Sequence, residues 1–376
     1  MSGKIWRCAC VAFGVWVCAA AALPLASRVA SAGAIASTSA QGAVVMEATS
    51  GRVLFAKNSH APMPMASTTK VMTAWLAIRY GNLQELVKIP SMAVGVEGSS
   101  MYLEKGETLT LEDLLYGLML NSGNDAAVAI AIHLGGSVEG FAAMMNAEAE
   151  KLGMLNTHFV TPNGLQHKDH YTSAYDLGLL SCLAMQDPEF RKIVGTESKQ
   201  VPWLDHPWPR TLKNKNKILW QYEGGNGVKT GYTTAAGRCL VASAERDGMQ
   251  LVSVALNCGP MFEDCMALMD DAFARYRMVM LVPESVSIAG TDVKAGVKGR
   301  VMLRTDRPVA LPLSAEEVGK VSLEIETLQL TAPVAEGTIA GSVTAKIGEW
   351  EASASLVPVS AVERRTFWWR LAHPFA

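Results

Sequence analysis

Excess charge of either sign is missing from this 376-residue sequence, in which 33 lysines and arginines face 35 aspartates and glutamates. No basic surplus is left to neutralise a phosphate backbone, so nucleic acid is excluded as a partner. Cysteine is scarce as well. Three of the seven cysteines precede Leu25, and Cys182, Cys239, Cys258 and Cys265 are spaced too widely for a metal pattern or a disulfide framework. Cys239 and Cys258 fall in strand-like apolar runs and read as small buried hydrophobes. His167 and His170 have helical metal-ligand spacing but lie in a polar loop without a third ligand, so no metal site is expected.

Long apolar runs are absent beyond Leu25. The only one, Cys8 to Leu25, follows Lys4 and Arg7, which is the layout of a secretory signal. Ala30-Ser31-Ala32 offers an A-x-A-like cleavage site, so residues 1–32 read as a leader and the mature chain is expected to start near Gly33, outside the cytoplasmic membrane. Ala20-Ala21-Ala22 is an earlier cleavage option, and an uncleaved anchor is the competing reading. Cys18 lacks the leucine-led context of a lipoprotein signal.

What is present begins with two strand-like runs, Ala43 to Ala48 and Arg52 to Ala56, which flank Thr49-Ser50-Gly51 as a short hairpin. The chain then reaches Ser67-Thr68-Thr69-Lys70 ahead of an apolar helical run that ends at Tyr80-Gly81. If Ser67 opens this helix, Lys70 lies one turn on and on the same face. A serine hydroxyl becomes a good nucleophile only when a neighbour takes its proton, and a lysine does so only when burial or a second cation lowers its pKa. Thr110-Leu111-Glu112-Asp113 resembles an N-cap box before a second apolar helix, which runs into Asn121-Ser122-Gly123-Asn124-Asp125 and then a third, Ala126 to Leu134. Ser122 and Asn124 are therefore expected in a kink between buried helices. Lys229-Thr230-Gly231-Tyr232-Thr233 is expected on a strand edge next to the strand Cys239 to Ala244. It offers a cation, hydroxyls and a residue without a side chain, parts that suit a bound carboxylate. Each triplet alone has a bland reading as a cap, a turn or a solvated loop. Their single occurrence in the order Ser-x-x-Lys, Ser-Gly-Asn, Lys-Thr-Gly does not.

In these motifs the sequence resembles the serine D-alanyl-D-alanine carboxypeptidases, low-molecular-mass penicillin-binding proteins related to the serine β-lactamases. The likeness runs from about Ala43 to Tyr276 and includes the segments Asn156 to Leu165, His170 to Asp176 and Asn214 to Trp220. One departure is Asn226, where the family usually has Asp. The resemblance implies an α+β fold, with an antiparallel sheet sandwiched between helices and the three motifs lining one groove. It implies that Ser67 attacks the bond between two D-alanines of a peptidoglycan stem peptide, that Lys70 accepts its proton, and that Ser122 relays a proton to the leaving D-alanine. Lys229, Thr230 and Thr233 would hold the terminal carboxylate beside Gly231, Asn124 would orient the substrate amide, and the amides of Ser67 and Tyr232 would form the oxyanion hole. No cofactor is expected, and β-lactam antibiotics would act as inhibitors.

Alternation in Val321 to Glu326 and Val343 to Ile347, with a turn at Gly348-Glu349, predicts half-buried strands and a small all-β stalk domain over residues 281–360, following a catalytic domain over 33–280. The tail, residues 361–376, interleaves Phe367, Trp368 and Trp369 with arginines and reads as an amphipathic segment for a membrane surface, too short to span. Among rival functions, a class A β-lactamase would need Ser-Asp-Asn and a Glu-x-x-Leu-Asn loop; Gly123 stands in place of the Asp and the loop motif is missing. A D,D-endopeptidase that cuts cross-links has the same motifs. A catalytically silent wall-binding protein would have had no reason to keep both Ser67 and Lys70.

Overall fold

The computed structural model describes residues 37–284 and 286–372, so the expected leader lies outside the described residues. Contacts divide the chain between Arg275 and Tyr276. In the first unit the hairpin forms as the sequence predicts, from β1 (Gly42–Glu47) and β2 (Val53–Lys57). Its turn is held by Glu47, whose carboxylate accepts from the Thr49 and Ser50 amides at 3.0 and 2.8 Å and from the Ser50 hydroxyl at 2.6 Å. Helix α1 (Lys70–Tyr80) stops at Gly81, as expected, but not through a left-handed glycine: φ there is −95°. A Cβ on Gly81 would lie 2.3 Å from Leu111 Cδ2 and 2.6 Å from the Ala77 carbonyl, so close packing is what requires the glycine.

A small two-stranded ribbon, β3 (Leu86–Lys88) and β4 (Thr108–Thr110), leads to α2 (Leu111–Met119). The Thr110 hydroxyl accepts from the Asp113 amide at 3.0 Å, the predicted cap. Helices α3 (Asn124–Gly135), α4 (Val138–Lys151), α5 (Ala174–Ala184) and α6 (Pro188–Val194) follow. A second ribbon, β5 (Ser198–Val201) and β6 (Arg210–Lys213), and the short α7 (Ile218–Gln221) then lead to β7 (Gly225–Thr233), β8 (Gly237–Arg246), β9 (Met249–Leu256) and α8 (Met261–Arg275). The main sheet is antiparallel, in the order β2-β1-β9-β8-β7. Strand β9 is buried along its whole length because α5 packs against it and β1, while α8 packs against it and β8. This is the expected sheet between helices, and it leaves β7 as an edge. The core, including Val44, Met46, Leu76, Leu115, Ile130, Leu177 and Val254, lies between the sheet and the helical layer, and full burial of each large aliphatic contributes about 1.5–3 kcal/mol.

The second unit is mainly β structure. Strand β10 (Arg277–Val282) pairs with β13 (Val309–Leu313), so this unit begins ahead of Leu281. A six-stranded sheet has the order β14-β16-β17-β12-β11-β15, with β11 (Ser287–Lys294), β12 (Arg300–Thr305), β14 (Ser322–Thr327), β15 (Leu330–Thr331), β16 (Gly341–Ile347) and β17 (Trp350–Pro358). The pattern of β16 is half-buried as predicted. That of β14 is not: Leu323 is 48% exposed because β14 is the sheet's edge and has little to pack against. A six-residue helix, α9 (Phe367–Ala372), ends the described chain.

The four cysteines are buried and unpaired. Cys239 lies in β8, but Cys258 follows the end of β9 and donates its S–H to Asp264 at 3.2 Å.

Candidate active site

Ser67 does not open α1. It lies in a preceding 3-10 turn, Ala66–Thr69, that leads directly into Lys70. The tighter turn serves the pairing better, since three residues per turn eclipse positions i and i+3. Lys70 Nζ lies 2.9 Å from Ser67 Oγ. The turn is closed by hydroxyls, Thr68 donating to the Met65 carbonyl at 2.6 Å and Thr69 to the Ala66 carbonyl at 2.8 Å.

Ala66 takes a left-handed φ of 49°, a strained conformation for an alanine that its surroundings must hold in place. His170 does part of this. Its Nδ1 accepts from the Val160 and Thr161 amides at 3.0 and 3.3 Å. The ring proton therefore sits on Nε2, which donates to Thr69 Oγ1 at 2.8 Å, and that hydroxyl is the one bound to Ala66. Gly164 closes the other side, where a Cβ would stand 1.9 Å from the Ala66 carbonyl oxygen. Burial, reinforced by His158 and His167, lowers the His170 pKa to about 4. Since the folded pKa lies below the unfolded value, the unfolded chain binds more protons in the interval between them. The stability contributed by neutral His170 is thus complete above about pH 6.5 and lost as pH falls toward 4. Wild-type protein is expected to lose thermal stability through this window more steeply than His170→Gln, as measured by melting temperature against pH; equal slopes would remove His170 as the titrating group.

Lys70 is fully buried, and its Nζ also donates to Asn124 Oδ1 at 2.6 Å and to the Asn163 carbonyl at 2.9 Å. Burial pushes its pKa well below the usual lysine range; the charge on Lys229 and then Lys215 adds to this, while Asp125 opposes it. Asn124 opens α3 and donates through Nδ2 to the Glu97 carbonyl at 2.6 Å. Asp125 accepts from the Ser100 hydroxyl at 2.5 Å and the Leu103 amide at 3.1 Å, tying the 99–103 loop to the same helix end. Ser122 sits in the kink between α2 and α3 with φ 61°.

Lys229 on β7 is buried, and burial followed by the charge of Lys215 lowers its pKa to about 7. Gly231 is needed by the protein's own packing, whatever it does for a substrate. A Cβ there would lie 3.0 Å from the Ser67 amide nitrogen and 3.1 Å from that of Thr68, so the glycine lets β7 press onto the Ser67 turn. Asn226 is also explained: its amide pairs reciprocally with that of Gln250, at 2.8 and 3.2 Å, and accepts from the Ser243 hydroxyl at 2.7 Å. An aspartate would set a carboxylate against Gln250 Oε1.

Ser67, Ser122, Thr230, Gly231 and Tyr232 line one cleft of about 520 Å³. Asn124 and Lys229 stand behind it, buried. Thr233 lines instead a neighbouring cavity of about 260 Å³ with Ala66, Gly164 and His170, and its hydroxyl oxygen accepts from the Ala236 amide at 3.1 Å. Sequence reasoning assigned no role to Asn163, His170, Lys215 or Arg238. The first three lie in segments that share the family likeness; Arg238, which lines the cleft with Lys215, carried no signal.

A model of the D-alanyl-D-alanine carboxypeptidase family matches residues 28–259. The chain belongs to that family. Its similarity to the family extends over most of the chain: it is 33% identical over 322 residues to the D-alanyl-D-alanine carboxypeptidase DacF of Bacillus subtilis, covering 82% of this chain and 81% of DacF. Among solved structures, penicillin binding protein 5 of Haemophilus influenzae superposes with a TM-score of 0.70 at 29% identity, covering 87% of this chain and 98% of that one. A Streptomyces DD-transpeptidase covers 63% of this chain and 99% of its own length, with a TM-score of 0.60 and 32% identity.

Proposed function

We propose that the enzyme removes the terminal D-alanine of peptidoglycan stem pentapeptides through an acyl-enzyme on Ser67. The observation that carries this is the environment of Lys70. A neutral amine has two N–H donors and one lone pair; the carbonyl oxygens of Asn124 and Asn163 take the donors, which turns the lone pair to the Ser67 hydroxyl 2.9 Å away. Burial and Lys229 favour this neutral state. Ser67 then loses its proton to Lys70 as it attacks the carbonyl between the two D-alanines. The amides of Ser67 and Tyr232, brought close by Gly231, receive the oxyanion, each worth roughly 3 kcal/mol in comparable sites. Ser122 passes a proton to the departing D-alanine, Asn124 orients the substrate amide, and water releases the shortened peptide.

The terminal carboxylate is held by Lys229 and Thr230, with Thr233 at the far end of the same strand. A buried cation without a bound anion destabilises the free protein. Lys229→Met is therefore expected to raise the melting temperature by ~2–4 °C while raising KM for the peptide at least tenfold; a lower melting temperature would show that Lys229 is structural.

The decisive measurement is the product set from a stem pentapeptide. Free D-alanine and tetrapeptide support the reading, whereas cleavage confined to cross-linked dimers would make the enzyme an endopeptidase. Its substrate lies outside the cytoplasmic membrane, and the leader would carry it there.

We also infer that the tail meets the membrane surface. Phe367 and Trp368 are 70% and 77% exposed on α9, and the Arg365 guanidinium lies 5.0 Å from the Trp369 ring centroid. Rings of this kind settle at the headgroup level. Deleting residues 362–376 from leader-processed protein is expected to release it from anionic vesicles in flotation assays; a full-length mature protein that never floats with vesicles would end this reading.

A further inference from the structure

In the loop that joins β5 to β6, outside the cleft, aromatic side chains form a string. The Trp203 and His206 rings lie 4.2 Å apart and the His206 and Trp208 rings 5.8 Å apart. The string has a rigid base. The Arg210 guanidinium is buried, lies 5.0 Å from the Trp203 ring centroid and pairs with Glu107 at 3.0 Å. The same guanidinium donates to the Tyr102 carbonyl at 3.0 Å, which fixes Tyr102 beside the string. Tyr102 holds a φ of 64°, rare for a bulky residue, yet its side chain is 69% exposed; Trp208 is 60% exposed. The neighbours of Tyr102, Met101 and Leu103, are buried and their amides donate to Asp125, which pins this backbone and leaves the Tyr102 ring turned outward. Large exposed rings held in place in this way offer a contact surface.

We propose that Tyr102 and Trp208, supported by Trp203 and His206, form a docking platform for the glycan strand that carries the stem peptide. This rests on the peptidoglycan reading above. Aromatic faces are electron-rich and attract the weakly positive C–H faces of pyranose rings. Glu104 borders the string, accepting from the Trp203 indole at 3.0 Å, and suits hydroxyl donors while repelling anionic lipid. Two chain segments lead from the cleft to the platform. Tyr102 follows cleft-lining Ser99 by three residues, and β6 runs from Arg210 toward Lys215, whose Nζ donates to Ser99 Oγ at 3.3 Å. The three-residue path from Ser99 to Tyr102 spans at most roughly 10 Å, and an extended pentapeptide spans roughly 17 Å, so a strand whose peptide end is in the cleft passes within reach of Tyr102.

The test uses the leader-processed full chain, glycan strands stripped of their peptides, and a soluble stem pentapeptide without sugar. Wild-type protein is expected to co-sediment with the stripped strands. The double variant Tyr102→Ala/Trp208→Ala should bind them about tenfold more weakly, as two lost aromatic contacts imply, and Trp208→Phe should recover part of the loss. Pentapeptide turnover should be unchanged in all of them, which also shows that the variants fold. The platform is refuted if wild type ignores stripped strands, if the double variant binds them equally, if pentapeptide turnover falls in parallel, or if these two rings bind lipid vesicles and not glycan. Absent turnover of the pentapeptide by wild type would instead overturn the carboxypeptidase reading, and sedimentation would still decide the platform.

Discussion

Incubated with penicillin, the wild-type protein is expected to gain one drug mass on the peptide containing Ser67, and Ser67→Ala to show neither this label nor release of D-alanine. The lactam carbonyl stands where the D-alanyl carbonyl would, but its leaving nitrogen remains tethered after ring opening and obstructs the water that would free the serine. Ser99 and Ser122 also present hydroxyls to the cleft, but the Lys70 amine lies against Ser67 at 2.9 Å. Loss of the activated hydroxyl should therefore lower D-alanine release by roughly 10⁴-fold or more, as removal of a serine nucleophile does elsewhere. Mass spectrometry of the digested adduct is the check. A label that survives Ser67→Ala would overturn the site as a whole.

Lys70→Arg is expected to be nearly as damaging, with acylation slowed by at least ~10³-fold. Arginine keeps the charge and length but effectively never gives up its proton, so it separates a base from a merely electrostatic lysine. It also has no lone pair to turn toward Ser67. The pH profile gives a second handle on the same pair of amines. The proposed mechanism needs Lys70 neutral, so kcat/KM should rise with pH as its lowered pKa is passed. It also needs Lys229 charged to bind the carboxylate, and a Lys229 pKa of about 7 in the free enzyme should produce the falling limb. In Lys229→Met the alkaline fall should disappear along with the tight KM. Normal acylation by Lys70→Arg, measured by stopped-flow with a chromogenic lactam, would sink the assignment of Lys70 as the base.

Much of the site was legible because it is written in short-range patterns. Ser67 and Lys70 meet because they are three residues apart at a helix entrance, and the hydroxyl of Thr110 caps α2 because Asp113 presents its amide three residues later. Alternation marked β16, and the apolar helices after Lys70 and Asp125 were visible from composition. Where partners are distant in sequence, the reading fell short. The sequence offers only a substrate's approach as a reason for Gly231, and its missing Cβ also faces the backbone of Ser67, more than 160 residues earlier. The sequence groups Thr233 with Thr230, but residues three apart on a strand point to opposite faces of it, and Thr233 borders another cavity. Leu323 matched a buried pattern on a strand that turned out to be an edge.

By itself the sequence determined the chemistry on offer: a serine with an amine one turn away, a second lysine beside hydroxyls, and the family in which these occur together. Local spacing and helix or strand period suffice for that, since they depend on neighbours within about four residues. Only the tertiary structure decided the surroundings of that chemistry and its geometry. The lowered pKa of Lys70 comes from burial and then from Lys229, its hydrogen bonds run to Asn124 and Asn163, and the strained Ala66 depends on His170 and Gly164. Desolvation and hydrogen bonding act between groups that folding brings within about 3 Å from sequence separations of fifty residues and more, and no local pattern records such encounters.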